Sequence, residues 1–171
     1  MLSFDFILGK PSDIEAGGGV GPQLFNSFYI LLLSMLVSIP LAIGAGVYLA
    51  EYAKETRLTK IIRLSTESLA TVPSIVLGLF GMIIFVNFLG FGFSIIGGAL
   101  TLLLLNLPIL VRVTEETIKT IPHSYREASL ALGATKWQTI WKVVLPNALP
   151  GIITGITLTA GRALGETAIL I

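Results

Sequence analysis

The chain has 171 residues, of which 54% are hydrophobic and only 12% are charged. Charged residues alone make up about a quarter of a typical soluble domain, so this composition excludes a soluble globular domain and indicates an integral membrane protein. The formal net charge of +1 gives no reason to expect nucleic-acid binding, and the lack of cysteine excludes disulfides and thiolate chemistry.

Residues 1–22 are predicted to form a segment outside the membrane. They carry one basic residue, Lys10, and no long apolar core, so they lack the pattern of a signal peptide. Their second half is typical of a loop because it is rich in glycine: Gly17, Gly18, Gly19, Gly21 and Pro22. We assign no chemistry to this segment.

Four apolar stretches are predicted to cross the membrane, because each is near or above the ~20 residues that span the hydrocarbon core. They run approximately over Leu24 to Ala50, Leu69 to Leu89, Ile95 to Val113, and Leu149 to the end of the chain. Pro40, Pro73 and Pro108 lie within or near the first three. Prolines in a helical bundle usually mark kinks rather than the ends of spans, since neighbouring groups satisfy the freed carbonyls. The sequence therefore predicts an all-α, polytopic transmembrane bundle.

Basic residues predict the orientation of these spans. Four follow the first span and four lie between the third and the fourth: Lys54, Arg57, Lys60, Arg63, Lys119, Arg126, Lys136 and Lys142. Residues 1–22 contain one lysine, and residues 90–94 contain no basic residue. Cytoplasmic loops are enriched in lysine and arginine, so both basic loops are expected inside and the N-terminus outside.

The loop before the fourth span shows the pattern of two short helices separated by Gly133. One apolar face combines Tyr125, Ala128, Ala131 and Leu132, and the next combines Trp137, Ile140, Trp141 and Val144. Helix, bend and helix form a shape suited to docking on a partner. The alternative is a helix pair that lies on the lipid surface with its tryptophans in the headgroups.

The same stretch resembles the EAA loop of bacterial ABC transporter permeases. In that loop E-A-A is followed by three residues, G, nine residues, I, one residue and L-P. The corresponding positions here are Glu127, Ala128, Ser129, Gly133, Val143, Leu145 and Pro146. Ser129 and Val143 depart from the pattern with side chains of similar size. Five identities at fixed spacing make the motif specific.

This resemblance implies a MetI-like permease fold and a division of labour between subunits. The first short helix would bind in a cleft of an ATP-hydrolysing subunit, with Glu127 and Ala128 at the contact and Gly133 at the bend. ATP and Mg would bind to that partner, so this chain would hold no cofactor or metal and would not be an enzyme. The 127–146 loop would lie in the cytoplasm of a prokaryote, and the spans would contact the lipid of its inner membrane.

Two charged residues lie inside the predicted fourth span. Arg162 and Glu166 are four residues apart on one helical face, where each would cost roughly 2.5 to 3.5 kcal/mol if it faced lipid. They either neutralise one another or form part of an anion site in which the Arg162 guanidinium binds phosphate oxygens. The span also contains two small-xxx-small patterns that allow close packing of helices: Gly151 with Gly155, and Gly161 with Gly165.

Several stretches resemble the phosphate-specific branch of this permease family. They are AEYA at 50–53, TVPSIVLGLFG at 71–81, NLPILVRVTEE at 106–116 and GRALGET at 161–167. The usual proline after GETA is Ile169 here, so the last residues match less well. The resemblance implies a phosphate importer with a homologous permease, an ATPase and an external phosphate-binding protein. Arg112 would then lie beside the path of the anion, unless it only extends to the cytoplasmic interface.

Two other functions remain open. The EAA loop is shared by importers of sulfate, molybdate and amino acids, so the motif determines the mechanism better than the substrate. An intramembrane enzyme would need paired aspartates, a histidine cluster or a serine with a base in the spans, and the sequence contains none of these there. The last residues, AILI, lack a polar cap, so we expect residues 23–171 to be a transmembrane domain without helices at one or both ends.

Overall fold

A computed structural model describes residues 21–165 of the chain. Most of these residues are helical and none forms a strand, which confirms the predicted all-α fold. The helices are α1 (Gly21–Tyr52), α2 (Arg57–Thr71), α3 (Ser74–Phe88), α4 (Ile95–Thr120), α5 (His123–Ala131) and α6 (Lys136–Gly165). Three of them include a π-helical turn, at Tyr48–Tyr52, Met82–Phe88 and Ile140–Val144. The predicted external segment lies outside the described residues up to residue 20, whereas Gly21 and Pro22 begin α1 instead of ending a loop.

Helix α4 is the centre of the bundle and packs against α1, α2, α3 and α6. Glycines lie at the contacts between α1 and α4. A Cβ atom at Gly46 of α1 would lie 2.6 Å from the Thr114 side chain, and one at Gly98 of α4 would lie 3.5 Å from Ile30. In both contacts the residue of α4 follows its partner in α1 by the same number of residues, so α1 and α4 run parallel. Their C-terminal ends therefore lie side by side.

The core consists of apolar side chains from the facing sides of these helices. One cluster joins α1 to α4 and includes Leu31, Met35, Leu102 and Leu105. A second cluster forms where the end of α4 meets α6 and contains Ile118, Val144, Ala148 and Ile152. Lipid is as apolar as these side chains, so close packing rather than the hydrophobic effect holds such helices together.

Helices α1, α4 and α6 are long and apolar enough to cross a membrane. They correspond to the first, third and fourth predicted spans. The second predicted span, Leu69 to Leu89, is not one straight helix, because α2 and α3 meet at a bend of 100°. The bent pair counts as a fourth span only if both helices are taken together.

Proline has different effects in the predicted spans. Pro40 and Pro108 lie inside continuous helices, as the prediction of kinks rather than ends allows. Pro73 instead precedes α3 as its N-cap residue, and Val72 before it is extended. The residue before a proline is driven out of the helical region by contact with the proline ring, so α2 ends there. The prediction that Pro73 does not end a helix was wrong.

Candidate functional site

The predicted docking loop begins with α5 and turns at Gly133. The amide of Gly133 donates to the carbonyl of Leu130 at 2.9 Å, and the amide of Ala134 donates to the carbonyl of Ser129 at 3.2 Å. These two bonds form a Schellman motif, which requires a left-handed residue after the helix. Gly133 supplies it with a φ of 82°. The predicted glycine bend is therefore confirmed.

Helix α6 starts immediately after this turn with a capping box. The Thr135 hydroxyl accepts from the amide of Gln138 at 3.3 Å, and the Gln138 side chain accepts from the amide of Thr135 at 2.9 Å. The T-x-x-Q spacing of Thr135 and Gln138 is the sequence signal for this cap. Both ends of the loop between α5 and α6 are thus fixed by local hydrogen bonds.

The second short helix of the prediction is not a separate element. It is the first part of α6, which continues without a break from Lys136 to Gly165. The predicted common face also divides: Ile140 and Val144 are buried, whereas Trp137 and Trp141 are 60% and 52% exposed. The π-helical turn at Ile140–Val144 rotates less per residue than an α-helix does, so the residues after Ile140 depart from the face predicted for a regular α-helix.

Large apolar side chains are exposed on both sides of the bend. We call this group the α5–α6 surface, and it comprises Tyr125, Leu130, Leu132, Trp137 and Trp141. Glu127 and Ala128 are exposed beside it on α5, and Pro146 is exposed on α6. Leu145 is half-buried. Ser129 is half-buried and shares a hydrogen bond of 2.9 Å with Thr139, so its hydroxyl joins α5 to α6 in a way that alanine could not.

Arg126 connects α5 to the ends of two other helices. Its Nε and Nη2 donate to Glu51 Oε1 at 2.9 and 2.6 Å. Its Nη1 and Nη2 also donate to the carbonyls of Ile121 and Ile118, at 2.7 and 3.0 Å. The last carbonyls of a helix lack intrahelical partners and carry a partial negative charge, so a guanidinium is well suited to this position. The Arg126 and Glu51 side chains are only 14% and 9% exposed.

Two further cations bind the same end of α1. Lys136 Nζ donates to the carbonyl of Glu51 and lies 4.6 Å from the centre of the Tyr52 ring. Arg63 Nη2 donates to the carbonyl of Leu49 at 3.1 Å. The sequence predicted only that these basic residues orient the spans, and it predicted no role for Glu51. The AEYA stretch contained the signal, but nothing local links Glu51 to an arginine 75 residues away.

A neighbouring ion network ties α2 to α4. Glu115 is buried and accepts from Arg63 Nε and from Lys119 Nζ, each at 2.6 Å. Arg63 also pairs with Glu55 in the loop between α1 and α2. The hydrogen bond and the charge of Arg63 lower the pKa of Glu55 below its usual value.

The proposed anion-pathway residues lie on separate parts of the bundle. Arg112 of α4 is 42% exposed and pairs with Glu67 at 2.7 Å and with Glu116 at 2.8 Å. Arg162 is exposed on α6, and its predicted neighbour Glu166 lies outside the described residues. Gly155 of α6 packs against Val113 of α4, and Gly151 packs against Thr117, so these two helices are antiparallel. Measured along the helix axes, Arg162 is therefore roughly 10 Å away from Arg112. Within residues 21–165 there is no group of three or more His, Cys, Asp or Glu that could hold a metal ion.

Comparisons with known sequences agree on one family. The family described as binding-protein-dependent transport system inner membrane component matches residues 42–171. The probable ABC transporter permease protein YqgI of Bacillus subtilis (strain 168) is 54% identical over 99% of this chain and 58% of its own length. The phosphate transport system permease protein PstA of Xylella fastidiosa (strain 9a5c) is 41% identical over 90% of this chain and 54% of its own length. The chain thus spans little more than half the length of these curated relatives.

A solved structure supports the fold independently of sequence. A chain of the MetNI methionine ABC transporter, in an inward facing conformation, superimposes with a TM-score of 0.75 and 23% identity. The match covers 87% of this chain and 74% of that chain. The predicted MetI-like fold is therefore confirmed.

Proposed function

This chain belongs to the family of binding-protein-dependent transport system inner membrane components, and on that premise we propose that it forms part of the permease of an ATP-driven phosphate importer. It is an inner membrane protein with several apolar helices, and its relatives are named as transport permeases rather than enzymes. The observation that carries the substrate assignment is the 41% identity to a phosphate transport permease across 90% of this chain.

The α5–α6 surface is the proposed contact with an ATPase subunit. A group of exposed aromatic and aliphatic side chains such as this one is typical of protein–protein interfaces, where such side chains form the buried centre of the interface. Glu127 and Ala128 lie exposed beside them and would complete the contact. ATP and Mg would be bound by the ATPase, whose movement would reach the spans through α5. This chain would contribute the translocation pathway and the helix that transmits the movement, and the ATPase would supply the energy by hydrolysing ATP.

Arg162 is the proposed anion contact within the span. Its guanidinium matches the geometry of phosphate oxygens. Its exposure on α6 is consistent with a pathway completed by a homologous permease, to which an external phosphate-binding protein would deliver the anion. Arg112 would add positive charge to that path, with Glu67 and Glu116 as its partners when no anion is near. We further propose that residues 23–171 form a transmembrane domain, with residues 127–146 as its cytoplasmic loop.

An importer of a different solute is the second candidate. The name of the Bacillus subtilis relative gives no solute, and the solved structure with this fold belongs to a methionine transporter. Sulfate, molybdate and amino acids are therefore the competitors to test.

Reconstitution of the complete transporter tests the proposed substrate. Proteoliposomes would contain the full permease pair and the ATPase, with ATP inside and the binding protein outside. We expect uptake of radiolabelled phosphate that excess sulfate, molybdate or methionine does not reduce. Uptake of one of these solutes instead of phosphate would establish the second candidate.

Substitution of Arg162 tests the pathway in the same vesicles. If Arg162 contacts the anion, Arg162→Gln abolishes phosphate uptake at normal membrane abundance, and Arg112→Gln weakens it. The double variant Arg162→Gln with Glu166→Gln separates the two roles of the pair, because a neutral pair costs less to bury than an ion pair. Normal uptake by the double variant would show that the pair is only structural.

Substitution of Glu127 tests the ATPase contact. Glu127→Lys reverses the charge of an exposed side chain beside the α5–α6 surface, so the ATPase should no longer co-purify with the permease. Lys54→Glu reverses an exposed charge in the other basic loop and serves as the control. Loss of the ATPase from both variants, or from neither, would argue against contact at Glu127.

A further inference from the structure

The polypeptide itself joins α5 closely to α4 and to α6 but not to α1. Residues 121 and 122 separate α5 from α4, and residues 132–135 separate it from α6. The end of α1 is a neighbour only in space, since Glu51 and Arg126 are 75 residues apart. Any displacement of α5 can therefore reach α1 only through contacts in space, either by way of α4, which packs against α1, or directly.

Arg126 provides a direct contact and binds two helix ends at once. It donates to Glu51 at the end of α1 and to the carbonyls of Ile118 and Ile121 at the end of α4. Because α1 and α4 run parallel, the partial negative charges at their C-terminal ends lie side by side and repel one another. A guanidinium between them offsets this repulsion and holds the two ends together.

The pair is also protected from water and salt. The Arg126 and Glu51 side chains are only 14% and 9% exposed, so screening weakens their attraction less than it weakens that of a surface pair. Lys136 adds a bond from the start of α6 to the Glu51 carbonyl. The end of α1 is thus attached to both helices that flank the Gly133 bend.

We propose that Glu51 is a positioning residue that couples the docking helix α5 to α1, so that α1, α4 and α5 move as one body when the ATPase moves. The proposal rests on the proposed function, in which the ATPase binds the α5–α6 surface. Glu51 does not contact the ATPase or the solute in this proposal. It determines how much of the movement of α5 reaches the first span.

Spin labels test the attachment without any need for transport. The chain has no cysteine, so one cysteine in place of Tyr48 and a second in place of His123 can be introduced together and labelled as a pair. Tyr48 and His123 are both exposed, one near the end of α1 and one at the start of α5. In the reconstituted transporter, we expect the distance between the labels at positions 48 and 123 to show one narrow distribution. The width of this distribution should not change when ATP is added. Glu51→Gln should broaden this distribution at least twofold, since the amide carries no charge to hold Arg126.

The functional readout is the ratio of ATP hydrolysed to phosphate transported. A merely structural defect would lower the amount of transporter in the membrane without changing this ratio. We expect Glu51→Gln to raise the number of ATP molecules hydrolysed per inorganic phosphate transported by about fivefold or more, while the ATPase still co-purifies. Glu55→Gln is the matched control. It removes the carboxylate of another short ion pair near the end of α1, but one that does not involve α5.

A second variant keeps the test decisive if Glu51→Gln does not accumulate. Arg126→Lys retains the charge but has its donors on a single nitrogen, so it cannot reproduce the fork by which three nitrogens of Arg126 reach Glu51 and the carbonyls of Ile118 and Ile121. We expect the width of its distance distribution and its ratio of ATP hydrolysed to phosphate transported to lie between those of the wild type and those of Glu51→Gln. Wild-type widths in Arg126→Lys or in Glu51→Gln would overturn the proposal. Failure of the wild-type protein to transport phosphate would overturn only the substrate assignment, because the distance measurement does not depend on it.

Discussion

Gly155 of α6 lies directly against Val113 of α4, so closely that a Cβ atom at position 155 would be 2.3 Å from Val113 Cγ1. One turn earlier, a Cβ atom at Gly151 would lie 2.5 Å from the methyl group of Thr117. The first small-xxx-small pattern is therefore the contact between α4 and α6. The second pattern is not used in this way, because a Cβ atom at Gly161 or Gly165 would have no atom of the described residues within 4 Å.

This contact predicts different effects for two identical substitutions on one helix. Gly155→Ala should overpack the α4–α6 interface and lower the free energy of unfolding by about 1–3 kcal/mol. Gly161→Ala should cause no loss, since the added methyl meets open space and alanine favours the helix. Thermal unfolding of the two purified variants in detergent measures the difference. Equal melting temperatures would contradict the close contact.

The Schellman turn at Gly133 predicts that side-chain shape decides whether the loop works. Gly133→Val forces a β-branched residue to a φ of 82°, which costs on the order of 1–3 kcal/mol. We expect this variant to reach the membrane but to lose coupled transport. Gly133→Asn is the control, because asparagine tolerates the left-handed region and should keep most of the activity. Transport by Gly133→Val at the level of Gly133→Asn would mean that the bend is not needed.

Labelling of introduced cysteines tests the predicted orientation. Phe93 lies in the turn before α4 and Leu132 follows α5, and their side chains are 81% and 89% exposed. Neither side chain caps a helix, unlike those of Ser94 and Thr135. A membrane-impermeant thiol reagent should label Phe93→Cys in intact cells, and it should label Leu132→Cys only after the membrane is opened. The reverse pattern would place the docking loop away from ATP.

Two serines one turn apart on α1 offer a matched test of buried polarity. Ser34 and Ser38 are both buried, but only Ser38 has a hydrogen bond, which it donates to the Ser34 carbonyl at 2.8 Å. The Ser34 hydroxyl has no hydrogen-bond partner among the described residues. Ser34→Ala should therefore raise the free energy of unfolding by about 1 kcal/mol, whereas Ser38→Ala should lower it slightly. A loss of stability in Ser34→Ala would show that its hydroxyl is bonded in the membrane.

Local sequence features predicted those parts of the site that depend on neighbouring residues. The Gly133 bend could be recognised because a glycine after an amphipathic stretch is a common helix terminator. The break at Pro73 had an equally local cause, yet it was missed because prolines inside long apolar stretches were all interpreted as kinks. Of the three prolines interpreted in this way, Pro73 alone follows an extended residue and ends a helix.

The sequence by itself determined that the chain is a membrane protein of apolar helices with an exposed helical loop, because hydropathy, charge and glycine act over a few residues. Only the tertiary structure decided which charges meet. Arg126 reaches Glu51 because parallel packing of α1 and α4 brings their C-terminal ends together beside α5. It also decided that Ile140 and Val144 are buried while Trp137 and Trp141 stay exposed. Such choices depend on the partner that each helical face meets, and periodicity along one helix carries no information about that partner.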